Sequence, residues 1–482
     1  MSYLIIDVGS SSVRAILYDP QGRAIDGGFV SRPYQFSVSA SGASTVDAEY
    51  LRDLVEVCVG DILTHPAAQQ IRAVGMATFV GNLLGVDKLG NALTPIYTYA
   101  DTQSKDDASL LAQQMDCDDS HQRTGCLLHT AYHPAKLHWL KRTDPQTFGG
   151  VHQWMDFASY LYTHWLGEAK CSYSVASWSG LLNRHTLIWD SEWLSLLGLS
   201  DASFPPLADF KAFQQGLTPK YARRWTQLAN VQFFLALGDG AAANVGMGAA
   251  LPETLALTLG STAALRAVYT DSRNVPDVPA GLWAYRVDKD RHLIGGATSE
   301  GGNVLHWLKT MFPSLDFVQA EQEIVQRPAD SHGLTCLPLL NGERSPGWHS
   351  SATGTIHGLT LSTTPIDVLQ AALEGVALRI ALIARQLSSL TERVYLGGGA
   401  ASASPVWCQI LANALDKPLC LVAESEVTAH GTALLIANVL NNLPLEDYTP
   451  PIAQVFTPQP ENVARLAAAR ERQQELYRRL YS

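Results

Sequence analysis

The sequence is short of positive charge. Its 34 Lys and Arg stand against 45 Asp and Glu, a formal net charge of −11 over 482 residues. A surface that holds nucleic acid or an acidic membrane needs the opposite sign, so both are excluded as general partners. A local basic pocket for a small anion is not excluded. Cysteine is also scarce: seven residues, at 58, 117, 126, 171, 336, 408 and 420. The number is odd and no pair is spaced CxxC, which argues against a disulfide framework or a zinc site. Reduced thiols fit a cytoplasmic protein. No uninterrupted apolar run is long enough to cross a bilayer. The first residues read as a strand, without a basic n-region, an apolar h-region or a cleavage site, so no secretory signal is expected. The patterns GxxxxGK[ST], GxGxxG ahead of a helix, and HExxH are all missing. That removes the P-loop, the dinucleotide fold and the zinc-peptidase helix.

Hydrophobic residues make up 46% of the chain and charged residues 16%, the balance of a folded protein. The length exceeds one ordinary core and calls for two domains. The chain opens on a meander, "YLIIDVG", "VRAILYD" and "RAIDGGFVS", joined by Gly-Ser-Ser-Ser and by "PQGR". A helix is predicted from about Ala48 to Leu63, with "STVD" ahead of it as capping material. "IRAVGMAT" and "NLLGVD" read as strands, and residues 135–230 as mostly helical. The tryptophans of that middle section, Trp154, Trp165, Trp178, Trp189 and Trp193, are read as core. His129, His133 and His138 form no metal signature and are read as structural or rim residues.

Past residue 250 the opening pattern returns. "LIIDVGSSSVRAILY" and "LALTLGSTAALRAVY" share an apolar strand, a Gly-Ser pair at Gly9/Gly260 and Ser10/Ser261, and a second strand with an offset Arg. Such self-similarity over half a chain predicts two related domains facing each other. The boundary is placed near 246–253, giving domains 1–247 and 248–482. The stretch from Ala464 to Ser482 reads as a charged surface helix.

A tight Gly/Ser turn between strands gathers backbone N–H groups and hydroxyls at one point, a cradle for phosphate. Gly9, Ser10, Ser11 and Ser12 form the first such turn, with Arg14 adding charge; Gly260, Ser261 and Thr262 form the second. Together they make a clamp for a polyphosphate. Asp7, ending the first strand, would repel phosphate unless a divalent cation lay between them, which points to Mg²⁺. In "LALGDGAAANVGMGA" a strand delivers Asp239 into a loop of tiny residues, where it can accept a proton from a substrate hydroxyl as phosphate is transferred. The structural alternatives are a polar hairpin for the first turn and a helix N-cap for Asp239. Glycine runs at 295–303 and 397–402 each end a strand and precede a helix, and suit a nucleotide lying against backbone; close helix–strand packing is the plainer reading. Asp101, behind Tyr97 and Tyr99, is read as an acid for sugar hydroxyls or as a helix N-cap.

The quoted segments resemble the FGGY carbohydrate kinases of the actin-like ATPase superfamily. "IIDVGSSSVRAILYD" and "ALTLGSTAAL" are similar to the family's two phosphate motifs, and "YLGGGAASASPVWCQILANAL" to its adenosine motif. Residues 340–379 are similar to the C-terminal signature. "GDGAAANVGMGA", "GGATSEGGNVLHWL" and "TLGSTAALRAV" lean toward the gluconate-kinase branch. The resemblance implies an α/β protein of two actin-like (ribonuclease H-like) domains with ligands in the cleft between them. The first would bind sugar and the second nucleotide. It makes Asp239 the general base and a metal partner together with Asp7. Gly398, Gly399 and Ala400 would line the ATP site, with Gly302 and Asn303 nearby. One departure stands out: Val80-Gly81-Asn82 replaces the family's Met-His-Gly or Met-His-Ser, and Gln103 replaces an Arg. Asn82 would then take the place of a sugar-contacting histidine.

The implied activity is transfer of the ATP γ-phosphoryl group to a hydroxyl of a sugar acid or sugar, with Mg²⁺ and with gluconate as first choice. The alternatives are a xylulose, ribulose or polyol kinase, and a non-catalytic ATP-binding protein. A sugar acid needs a cation for its carboxylate; Lys136, after Tyr132 in "AYHPAKLHW", is one candidate, with bracing the fold as its alternative role. Expected partners are a small sugar and neither nucleic acid nor membrane, with a homodimer as an option for the assembly.

Overall fold

The computed structural model describes residues 1–252, 254–270, 276–387 and 392–481. Glu253, at the end of the expected domain boundary, lies outside them. Two mixed sheets organise the chain. The first runs Gln232–Phe233, Ile71–Thr78, Ser2–Val8, Ser12–Tyr18, Ala24–Pro33, with Leu237–Gly238 also on Ile71–Thr78. The second runs Trp283–Arg286, His292–Thr298, Ala263–Tyr269, Thr254–Leu259, Arg393–Gly397, Leu419–Val422, Ile452–Phe456. In each, a hairpin's first strand pairs in parallel with a later strand on its other side. The internal repeat is therefore structural. The strand Ser2–Val8 is buried at every position, as a strand covered on both faces must be.

The repeat also explains the offset arginine. Val8 pairs with Val13 across the first turn, but Leu259 pairs with Ala263 across the second. The first loop is one residue longer, so the hairpins cannot superpose residue for residue beyond it. Arg14 lies opposite Asp7, whereas Arg266 lies opposite Ala256 and reaches along the strand to Thr258.

The helix Ala48–Ile62 starts where its cap predicts: the Asp47 carboxylate accepts the Tyr50 N–H. The middle section differs from expectation. It holds short helices such as Phe157–Leu166 and Ser191–Leu197, broken by two-residue strand pairs. Gly167 and Gly198, both in the left-handed region, end those two helices. Four of its tryptophans are core as expected; Trp178 is only half-buried.

Each sheet has its own apolar core, but the halves are interleaved. Helix Val427–Asn441 belongs by sequence to the second half, yet it packs on helix Asp239–Gly246 and on the first sheet. Conversely, strand Trp283–Arg286 reaches the first half: the Ala284 N–H donates to Gly125 O, and the His121 ring meets Leu282 O. The last helix, Pro460–Tyr481, is no mere surface helix. Gln473 is buried and donates to Cys336 O and Gly375 O. All seven cysteines are free. Among the described residues no helix is long and apolar enough to cross a membrane.

Candidate active site

Strand register places the first half's polar groups together. Asp7, Ala77 and Leu237 share one row across the sheet, and Val8, Thr78 and Gly238 the next. The three strands are parallel, so Gly9, Phe79 and Asp239 leave by the same edge. Asp239 and the Gly9 turn are two strands apart, roughly 10 Å at the usual strand spacing. Asp239 is the first residue of helix Asp239–Gly246, with Gly238 as its cap and its own carboxylate bonded to the Gly240 N–H. A side chain on Gly238 would strike Trp178 and Val80, and one on Gly240 would strike Trp178 again. Small residues here are thus a packing requirement of the loop that presents Asp239.

Asp7 is 2% exposed. It accepts from Arg14 Nη1 at 3.0 Å, and Arg14 also pairs with Glu426 at 3.4 Å. Burial raises the Asp7 carboxyl to about 7; Arg14 pulls it down, and Asp239 and Glu426 push it up. Its Oδ1 is buried without a hydrogen-bond partner. A buried carboxylate oxygen left bare beside a second carboxylate is costly unless a cation meets it. Asp7 and Asp239 therefore fit a divalent ion. Burial also raises Asp239, to about 6, against the Gly240 N–H and Arg266.

Three turns meet at the corresponding edge of the second sheet. Gly260 N–H donates to Thr262 O at 2.9 Å, closing a turn like that of Gly9 onto Ser12 O at 3.0 Å. Gly302 and Asn303 donate to Gly260 O and Ser261 O, docking helix Gly302–Met311 on the turn. Gly398 has φ +110°, and a side chain there would stand 2.4 Å from Leu259 O. A Cβ on Gly399 would meet nothing within 4 Å, and one on Gly302 would touch the Ala400 methyl. Tight packing fixes the outer glycines, while Gly399 and Gly260 face open space.

Comparison with known proteins bears on this geometry. Residues 2–246 match the N-terminal domain of the FGGY family of carbohydrate kinases, and residues 255–439 match its C-terminal domain. The chain belongs to that family. It is 24% identical to a gluconokinase of Bacillus subtilis (strain 168) over 450 residues, 90% of this chain and 87% of the other. It is 26% identical to a xylulose kinase of Escherichia coli (strain K12) over 498 residues, 99% and 98% of the two chains. The fold is that of the gluconate kinase from Lactobacillus acidophilus, with a TM-score of 0.91 at 24% identity, covering 100% of this chain and 98% of that one. The protein is a carbohydrate kinase with the two-domain actin-like fold.

Several residues expected on the sugar side are enclosed in the fold. Asn82 is 1% exposed: its Oδ1 accepts the Phe157 N–H and its Nδ2 donates to Phe79 O. These bonds pin the start of the helix Phe157–Leu166. Asp101 and Lys136 are both 0% exposed. Asp101 accepts from the Ser44 and Gln103 N–H groups and caps no helix, since the next begins at Lys105. Lys136 donates to Thr130 O, is pushed down to about 7 by burial, and feels Asp101 as its opposite charge. Both are enclosed by protein, and these bonds go to backbone groups. Gly81 sits at φ +67°, wedged against Ala131 O and Tyr99, and Val80 packs on Gly238. Tyr99 is exposed, while the Tyr132 hydroxyl is taken by Tyr285 at 2.6 Å. The histidines are structural: His133 meets Asn82 O, His138 pairs with Asp107 at 2.6 Å, and His129 lies edge-on to Trp348.

Four side chains near Asp239 come together only in the fold: Trp178, Tyr285, Arg266 and Arg344. Trp178 stacks on Tyr285, with ring centroids 3.6 Å apart. Arg266 lies over Gly240 and draws the Asp239 carboxyl down. Arg344 follows Glu343, which Arg379 and Tyr477 hold in place. Arg266 and Arg344 lie within quoted segments, but only the spatial meeting of distant segments brings them to Asp239. One further cluster among the described residues has metal-like spacing: Asp330, His332 and Glu374. Glu374 already accepts from Asp330 N–H, His332 and Gln370, so its oxygens are satisfied within the protein.

Proposed function

We propose that this kinase transfers the γ-phosphoryl group of Mg-ATP to a hydroxyl of a sugar acid, gluconate being the first choice. The observation that carries the transfer is Asp7 with its bare buried oxygen beside Asp239, at the sheet edge that bears the Gly9 turn. Gly9–Ser12 and Gly260–Thr262 hold the polyphosphate through N–H and hydroxyl groups. Gly302, Asn303, Gly398, Gly399 and Ala400 line the nucleotide. Asp7 and Asp239 would hold Mg²⁺, which neutralises phosphate charge when bound. Asp239 orients the acceptor hydroxyl and takes its proton. Phosphoryl transfer asks chiefly for such positioning and charge balance. Val80, Gly81, Tyr99 and Tyr132 shape the acceptor side, and closure of the two domains would exclude water.

Gluconate is favoured by the segments around Asp239 and Gly302 and by the gluconokinase of Bacillus subtilis among the relatives. The full-length match to a xylulose kinase supports a pentulose as the second reading. A panel of gluconate, xylulose, ribulose and glycerol with saturating Mg-ATP separates them by ADP release. Gluconate is expected to lead in kcat/KM; a neutral ketose ahead by tenfold or more overturns the choice.

A further inference from the structure

If the acceptor is an acid, some cation must meet its carboxylate, and Lys136 is 0% exposed with its ammonium on Thr130 O. Around Asp239 the second half of the chain supplies two arginines. Arg266 donates through Nη1 to Thr258 Oγ1 at 3.1 Å, while its Nε is buried with no hydrogen-bond partner. Among the described residues it makes no ion pair within 4 Å. Its Nε lies 3.3 Å from where a Cβ on Gly240 would stand, one residue from Asp239. Arg344 is close enough to act on Arg266, His129, Tyr132 and Tyr285. Burial pushes His129 down to about 4, so it stays neutral. Asp7 and Glu426, the other carboxylates of this region, are paired with Arg14, so arginines and carboxylates balance three against three. Arg266 lies close to the stacked rings of Trp178 and Tyr285, which exclude water and strengthen its field.

We propose that Arg266 binds the carboxylate of the acceptor and so sets a preference for a sugar acid over a neutral sugar. The proposal rests on the gluconate reading. A planar guanidinium offers a fork of N–H donors that matches a carboxylate, and one of its donors here has no other use. Asp239 would then take a hydroxyl at the reacting end while Arg266 holds the acid end, fixing which hydroxyl faces the phosphoryl group.

The other anion in reach is the γ-phosphoryl group itself, and binding measurements separate the two. Calorimetric titration of gluconate without nucleotide, and of a non-hydrolysable ATP analogue without sugar, is made on wild type and on Arg266→Met. The expected result is a gluconate Kd raised on the order of 100-fold, with the analogue's Kd unmoved. An unmoved gluconate Kd with a weakened analogue overturns the proposal and assigns Arg266 to phosphate, leaving the gluconate reading intact. A wild type that binds xylulose but not gluconate overturns the gluconate reading, and this proposal with it. Arg266→Lys covers the case in which the Met variant does not fold. It keeps the charge but loses the fork, so gluconate binding weakens about tenfold with the analogue unchanged; the reverse pattern contradicts the assignment.

Discussion

Asp239→Asn is expected to lower kcat by at least ~100-fold, the scale of general-base catalysis, and to leave nucleotide affinity in place. Asn keeps the size of the side chain at the helix start and loses the ability to accept the hydroxyl proton. The same residue governs the pH profile of the wild type. Its carboxyl is raised to about 6 by burial, so below that pH it carries a proton and cannot take another. The kcat/KM of the wild type should therefore rise with pH up to about 6 and flatten above it. Asp7, raised to about 7, extends the limb upward where no cation is bound to it. In Asp239→Asn the limb near 6 should vanish from the residual activity. Turnover near that of wild type in a folded variant, with nucleotide still bound, would remove Asp239 from the base role.

Gly260→Val is expected to weaken ATP roughly 10- to 100-fold while sugar binding changes little. The position suits the test because the fold does not need glycine there. Its φ is not in the left-handed region, and a Cβ would approach nothing nearer than Thr262 O at 3.9 Å. The branched side chain instead fills the open space proposed for phosphate. Gly398 would be a poor choice, since any side chain there collides with Leu259 O and disturbs the strand end itself. Separate titrations of nucleotide and sugar give the answer. Loss confined to the sugar would move the second turn to the acceptor side.

The parts of this molecule that were legible in the sequence are those encoded locally. The two Gly-Ser turns, the Asp47 cap, and the strand that delivers Asp239 each need only a few adjacent residues, and each forms as its chemistry demands. The half-chain repeat was visible because both hairpins close alike, with the Gly9 and Gly260 N–H groups each donating across the turn. For Asn82, Asp101 and Lys136 the neighbourhood suggests sugar contacts or bracing alike, because a sequence does not say which way a polar side chain faces. All three turn inward and bond to backbone groups. That Arg266, Arg344 and Trp178 gather near Asp239 was not legible, because their meeting depends on packing between the halves. The interleaving of helix Val427–Asn441 with the first sheet was illegible on the same ground, because its apolar sequence fits a partner on either side.

The central claim is that this protein moves phosphate from ATP to a sugar-acid hydroxyl rather than to water. Phosphorus NMR of the wild type with Mg-ATP and gluconate tests it most directly. The account predicts a phosphomonoester resonance that grows in step with ADP, disappears when gluconate is left out, and is absent with Asp239→Asn on the same time scale. Inorganic phosphate as the only product, formed at the same rate with and without gluconate, would contradict it.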